Sequence, residues 1–171
     1  MKMKGILCGF LSVFMGVSLA AHADPAVNIA STSATVSPAS SGVNRGNLTV
    51  HITGIRNDNG MIRVALFNNA QTYTEKNNPN AADAYSRDKL PIANGEAVWQ
   101  VSNVPYGVYG IKLFHDEDNS GKLKKNFVGR PTEGVGFSNN PKLGNKAPTF
   151  DEVKFNVNQP QNDINIQMIN P

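Results

Sequence analysis

The chain has one cysteine in 171 residues. That residue, Cys8, sits in an apolar run from Gly5 to Ala20, behind Met1-Lys2-Met3-Lys4 and ahead of Ala21-His22-Ala23. A positive start, an apolar middle and small residues where a signal peptidase reads predict a secretory signal peptide over residues 1–23. Leu7 directly before Cys8 does not suit a lipidation site. The mature chain then has no cysteine, which excludes disulfides and a thiol nucleophile and leaves stability to a packed core. Export is expected, to the periplasm or the outside of the cell.

A second long apolar run is also missing, so no membrane-spanning segment is expected after cleavage. Charge of one sign is lacking too. The chain holds 16 Lys and Arg against 13 Asp and Glu; losing Lys2 and Lys4 leaves 14 against 13. A near-neutral chain without a dense basic cluster argues against nucleic acid as a partner. Neither G-x-S-x-G nor His-Glu-x-x-His occurs, so no enzyme is expected.

What is there reads as short strands. Residues 24–46 are Ala, Ser, Thr and Pro with no large aromatic, the composition of a flexible linker. From Asn47 the texture changes. Leu48 to Thr53 alternates apolar and polar, Asn57-Asp58-Asn59-Gly60 is a turn, and Met61 to Phe67 follows, so the two strands read as a hairpin. Residues 68–84 are polar, with Asn-Asn-Pro-Asn at 77–80, and read as a loop with one helical turn. Residues 85–91 are ambiguous. Ala97, Trp99 and Val101 share one face of a strand. Tyr109, Ile111 and Leu113 alternate after Pro105-Tyr106-Gly107, and a Pro-x-Gly-x-Tyr entry gives Gly107 and Tyr109 the structural roles of a tyrosine corner. Val153, Phe155 and Val157, then Ile164, Ile166 and Met168, close the chain. The expectation is an all-β fold: a single antiparallel β-sandwich of about seven strands over residues 47–171.

No strand is obvious from His115 to Thr149, and so long a connection is usually functional or disordered. Phe127, Val128, Val135 and Phe137 give it apolar residues to pack on the sandwich, so one long ordered loop is expected. Asp116, Asp118 and Ser120, with Gly121 for the bend, have the spacing of a calcium loop. Counted from Asp116, however, the ninth position is Lys124 and the twelfth is Phe127, so the bidentate Glu of an EF-hand is missing. Glu133 or loop carbonyls would have to complete a weak site. The denser half, Gly129 to Pro141, offers Arg130, Thr132, Glu133, Phe137, Ser138 and Asn139 as a binding loop on a rigid scaffold.

The runs G-M-I-R-V-A-L-F, V-P-Y-G-V-Y and H-D-E-D-N-S-G-K-L-K-K-N-F-V-G-R-P-T-E-G-V-G-F-S-N-N resemble the bacterial secreted family called domain of unknown function 2141. The likeness covers nearly everything from Asn47 onward, and P-T-E-G-x-G-F-S-N is its most specific part. This chain departs from that pattern in having Asp118 for Asn and Lys124 for Asp, the second of which removes a metal ligand. The resemblance implies an Ig-like or prealbumin-like sandwich in the envelope or outside the cell, and no activity. The first functional expectation is an exported binding or structural module of unknown ligand. Its interaction surface is residues 115–141, and its partner an envelope protein or small ligand. The second is a domain weakly stabilised by calcium at Asp116, Asp118 and Ser120, with no other cofactor. The third is a metal-assisted hydrolase using His115, Asp116 and Glu133.

Overall fold

A computed structural model describes residues 44–74, 83–144 and 146–171. The expected signal peptide, the expected linker up to residue 43 and residues 75–82 of the expected polar loop lie outside the described residues. Two sheets face each other. One has the order β4-β1-β8, built from β1 (Arg45–Thr53), β4 (Ala97–Pro105) and β8 (Gln161–Gln167). The other has the order β3-β2-β5-β6, from β2 (Met61–Phe67), β3 (Ser86–Leu90), β5 (Gly107–Asp116) and β6 (Val135–Phe137). β7 (Lys154–Val157) pairs with β5 as well. Two short helices, α1 (Ala70–Thr74) and α2 (Phe150–Val153), complete the described elements. The all-β sandwich stands, with eight strands among the described residues.

Leu48, Val50 and Ile52 alternate inward along β1, and Ala97 and Trp99 do so along β4. They meet Ile62, Val64 and Leu66 of β2 and Tyr109, Ile111 and Leu113 of β5 in the main core. The Tyr109 hydroxyl donates to the Pro105 carbonyl at 2.9 Å, the expected tyrosine corner, and the ring lies against Gly107, where a Cβ would stand 3.4 Å from it, an ordinary contact.

Four expectations are corrected. β1 begins at Arg45 rather than Asn47, because Arg45 and Gly46 already pair with Pro105 and Val104. β1 and β2 do not form a hairpin: they lie in opposite sheets, and residues 54–60 are an arch between them. The Asp58 carboxylate fixes that arch by accepting from the Asn94 and Gly95 amides at 3.0 and 2.8 Å. β8 runs parallel to β1, so the sandwich is not wholly antiparallel. Val135 to Phe137, expected to be loop, is a strand paired with residues 112–114 of β5.

The β2–β5 sheet is buried on both faces. Ala65, Phe67, Phe114 and Phe137 point away from the main core into a second cluster closed by Tyr73 of α1 and Val153 of α2. That is why β2 and β5 are buried almost continuously. Lys112 is the one ammonium there, 4 % exposed, over the rings of Phe67 and Tyr73 at 4.7 and 4.5 Å. Its ammonium also donates to the Tyr73 carbonyl.

Candidate functional site

Side chains alternate along a strand, so His115 and Asp116 at the end of β5 face opposite ways. Both are fully buried. His115 Nε2 contacts the Asn59 carbonyl at 2.7 Å, and Nδ1 faces Glu117 Oε1 at 3.7 Å. Asp116 Oδ2 accepts from the Arg63 guanidinium of β2 and from the Gly121 amide, the latter at 2.9 Å. Its Oδ1 accepts from the Ser120 hydroxyl at 3.4 Å. Gly121 holds φ at 80°, a left-handed turn that brings its amide back onto Asp116. Residues 116–121 are thus a turn wrapped on one buried carboxylate, and Arg63 compensates its charge.

Beyond this turn the chain rises and returns as a small hairpin. Thr132 N–H donates to the Lys124 carbonyl at 3.0 Å, Asn126 N–H to Arg130 at 2.8 Å, and Gly129 N–H to Asn126 at 2.9 Å. The Asn126 side chain accepts from the Val128 and Arg130 amides at 3.1 and 3.0 Å. The backbone of the tip is therefore held by its own hydrogen bonds. Phe127 and Val128 form the apex, 99 % and 61 % exposed. The expectation that they pack on the sandwich is wrong; only Val135 and Phe137 do so. From Lys122 to Thr132 the sequence has four cations, Lys122, Lys124, Lys125 and Arg130, and no acid. All four are exposed.

Glu133 brings the hairpin back to the Asp116 turn. It is 3 % exposed; Oε2 accepts from the Lys124 amide at 2.9 Å, and Oε1 has no hydrogen-bond partner. One carboxylate oxygen from each of Asp116, Asp118 and Glu133 lies within 4.8 Å of the others. Glu133 thus joins Asp116 and Asp118, as one of the expected ways to complete the site, while the Ser120 hydroxyl lies beside the same carboxylate, shared between Asp116 Oδ1 and the Lys122 carbonyl at 3.4 and 3.2 Å. The Lys124 ammonium sits on Asp118 Oδ2 at 2.7 Å. That contact, with the Ser120 bonds, holds the Asp118 carboxyl well below its usual range, and the Asp118 contact pushes the Lys124 ammonium up.

The expected binding-loop residues divide. Arg130 and Thr132 lie exposed on the returning arm of the hairpin. Glu133, Phe137 and Ser138 are buried. Asn139 is exposed, but its amide donates to the Glu152 and Lys154 carbonyls at 3.3 and 2.8 Å. Phe137, Ser138 and Asn139 thus fasten β6 to the scaffold. Sequence reasoning missed Arg63 and the apex. The signal for Arg63 was a lone charge in an apolar strand; the signal for the apex was an aromatic amid cations with no acid to balance them.

A family model described as "Uncharacterized protein conserved in bacteria (DUF2141)" matches residues 50–165. No curated protein and no solved structure matches the chain.

Proposed function

We propose a binding function for this chain, which belongs to the DUF2141 family of uncharacterized bacterial proteins. It is an exported module, and the apex of its hairpin inserts into an apolar pocket, rimmed by acidic groups, on a protein partner. The observation that carries this reading is Phe127, 99 % exposed on a tip whose backbone is internally hydrogen-bonded. Burying a phenylalanine side chain is worth roughly 1.5–3 kcal/mol, and rigid aromatic anchors carry much of the energy of protein interfaces. Lys122, Lys125 and Arg130, exposed on the same hairpin, suit an acidic rim, whereas Lys124 is paired with Asp118. A convex tip does not suit a small ligand, which takes a concave site. Two apolar side chains are a slight anchor for a bilayer, where stable attachment takes more apolar area or a second anchor. Export rests on the signal-peptide pattern of residues 1–23. The geometry gives the hydrolase reading no support of its own, since His115 is fully buried.

The test is capture from the native envelope with a photocrosslinker at Val128, using wild type and Phe127→Ser. The wild type is expected to capture a protein that Phe127→Ser binds about 10- to 150-fold more weakly, at an unchanged thermal midpoint. Reversing Lys125 and Arg130 to Glu should weaken the same contact. Undiminished capture by Phe127→Ser rejects the proposal. Co-sedimentation of the purified protein with anionic vesicles, lost in Phe127→Ser, would reassign the apex to a lipid surface.

A further inference from the structure

We propose that Asp118 and Glu133, with Asp116 Oδ1 at their base, form a calcium site, and that Lys124 is its built-in competitor. The inference is independent of what the apex binds. Calcium gathers oxygens at about 2.3–2.6 Å, so two oxygens on one ion lie within about 5 Å of each other. One oxygen from each of the three carboxylates meets that limit, all lying within 4.8 Å. Clustered acids alone would say little. The second observation is Glu133 Oε1, a buried carboxylate oxygen with no hydrogen-bond partner, on the residue that closes the cluster. Leaving such a group unsatisfied is costly, and a cation between Glu133 and Asp118 removes the cost.

The third observation is that the protein already puts positive charge there. The Lys124 ammonium contacts Asp118 at 2.7 Å, and the backbone amide of the same residue holds the other Glu133 oxygen, at 2.9 Å. An ammonium brings one charge and three directed donors; calcium brings two charges and accepts an irregular set of oxygens. On binding, the ion displaces the ammonium from Asp118. Lys124 lies on an exposed stem and can swing into solvent. Asp116 contributes through Oδ1, which among the described residues accepts only from the Ser120 hydroxyl at 3.4 Å, because Oδ2 is held by Arg63 and Gly121. The irregular carboxylate set suits calcium better than magnesium, which demands near-octahedral geometry. Displacing a tethered cation keeps the affinity weak, on the order of 10⁻⁴ to 10⁻³ M.

Thermal unfolding in about 10 mM calcium chloride, tenfold above the weak end of that range, against chelator tests the site. Wild type should rise in midpoint, the folded-to-unfolded ratio growing about elevenfold at a tenfold excess over Kd. Lys124→Gln should tighten the apparent affinity. Glu133→Gln should abolish the shift, and Asp118→Asn, at an exposed position that folding tolerates, should do the same. A shift in Lys124→Gln but not in wild type supports the site and its competitor together. The proposal is overturned if neither protein responds, if the shift survives both carboxylate substitutions, or if magnesium matches it.

Discussion

Ser138 is fully buried, and backbone groups surround its hydroxyl. It accepts from the Ile111 amide at 2.9 Å and donates to the Val153 carbonyl. Its own amide donates back to Ile111 at 3.1 Å. The residue stands where β6 ends and β7 takes over along the same edge of β5, so it splices two short strands into one continuous edge. Ser138→Ala leaves the Ile111 amide buried without a partner and is expected to cost about 1–3 kcal/mol. A lower urea midpoint at unchanged slope would show it. Arg63 acts on a larger scale of energy. Arg63→Leu strands the Asp116 carboxylate, and breaking a buried pair costs about 3–5 kcal/mol. The exposed Asp118–Lys124 pair has no such role, so Lys124→Gln should leave the midpoint in chelator almost unchanged.

Among the elements, β6 shows how a short strand is hidden in sequence and why it forms. Three residues with a glycine at their centre and another just before them have little strand signal; pairing with β5 and the Val135–Ile169 bridge make the strand. Gly136 is needed for the approach. A Cβ there would lie 2.8 Å from Leu113 Cδ1 and 2.9 Å from Ile166 Cγ2. Gly136→Ala should therefore cost about 1–3 kcal/mol through overpacking, read in the same urea titration. Strands with one wet face were legible, because alternation in Leu48, Val50 and Ile52 maps directly onto burial. In β5 the same alternation marked the main core but not the second cluster that covers Lys112 and Phe114. Asn57 to Gly60 has turn chemistry, seen in the Asn59 amide bonded to Asn57 Oδ1 at 2.9 Å, yet a turn does not say which sheet the next strand joins. At the site, the Asp116 turn was legible from its spacing. Glu133 was already a candidate to complete the site; the burial of its unpartnered Oε1 and the outward aim of Phe127 were not legible, because both depend on how the hairpin returns.

For the whole molecule, two buried groups shape stability against pH. Burial lowers the Lys112 ammonium from 10.5 to about 8. Below that value both states hold the proton and the penalty of the buried charge is present in full. Between about 8 and 10.5 the folded state sheds the proton first, so stability rises with pH, by at most about 1.4 kcal/mol per unit. Tyr73 acts in the opposite sense. Burial, with the Glu152 charge adding to it, raises its phenol above 10.0, so above that pH the unfolded chain ionises first and stability falls. Urea unfolding from neutral pH upward should show a maximum near pH 10, and Lys112→Met should flatten the rise before it. The described sandwich also has two unlike ends along the parallel pairing of β1 with β8. Arg45 pairs with Pro105, and Asn47 with Gln161, at one end, whereas Thr53, Gln167 and the Asp116 turn lie at the other. Nine residues of β1 separate those ends by about 30 Å. A surface that grips the Arg45 end of the sandwich would therefore leave the Asp116 turn, from which the Phe127 hairpin rises, at the end away from it, like a key held by its bow.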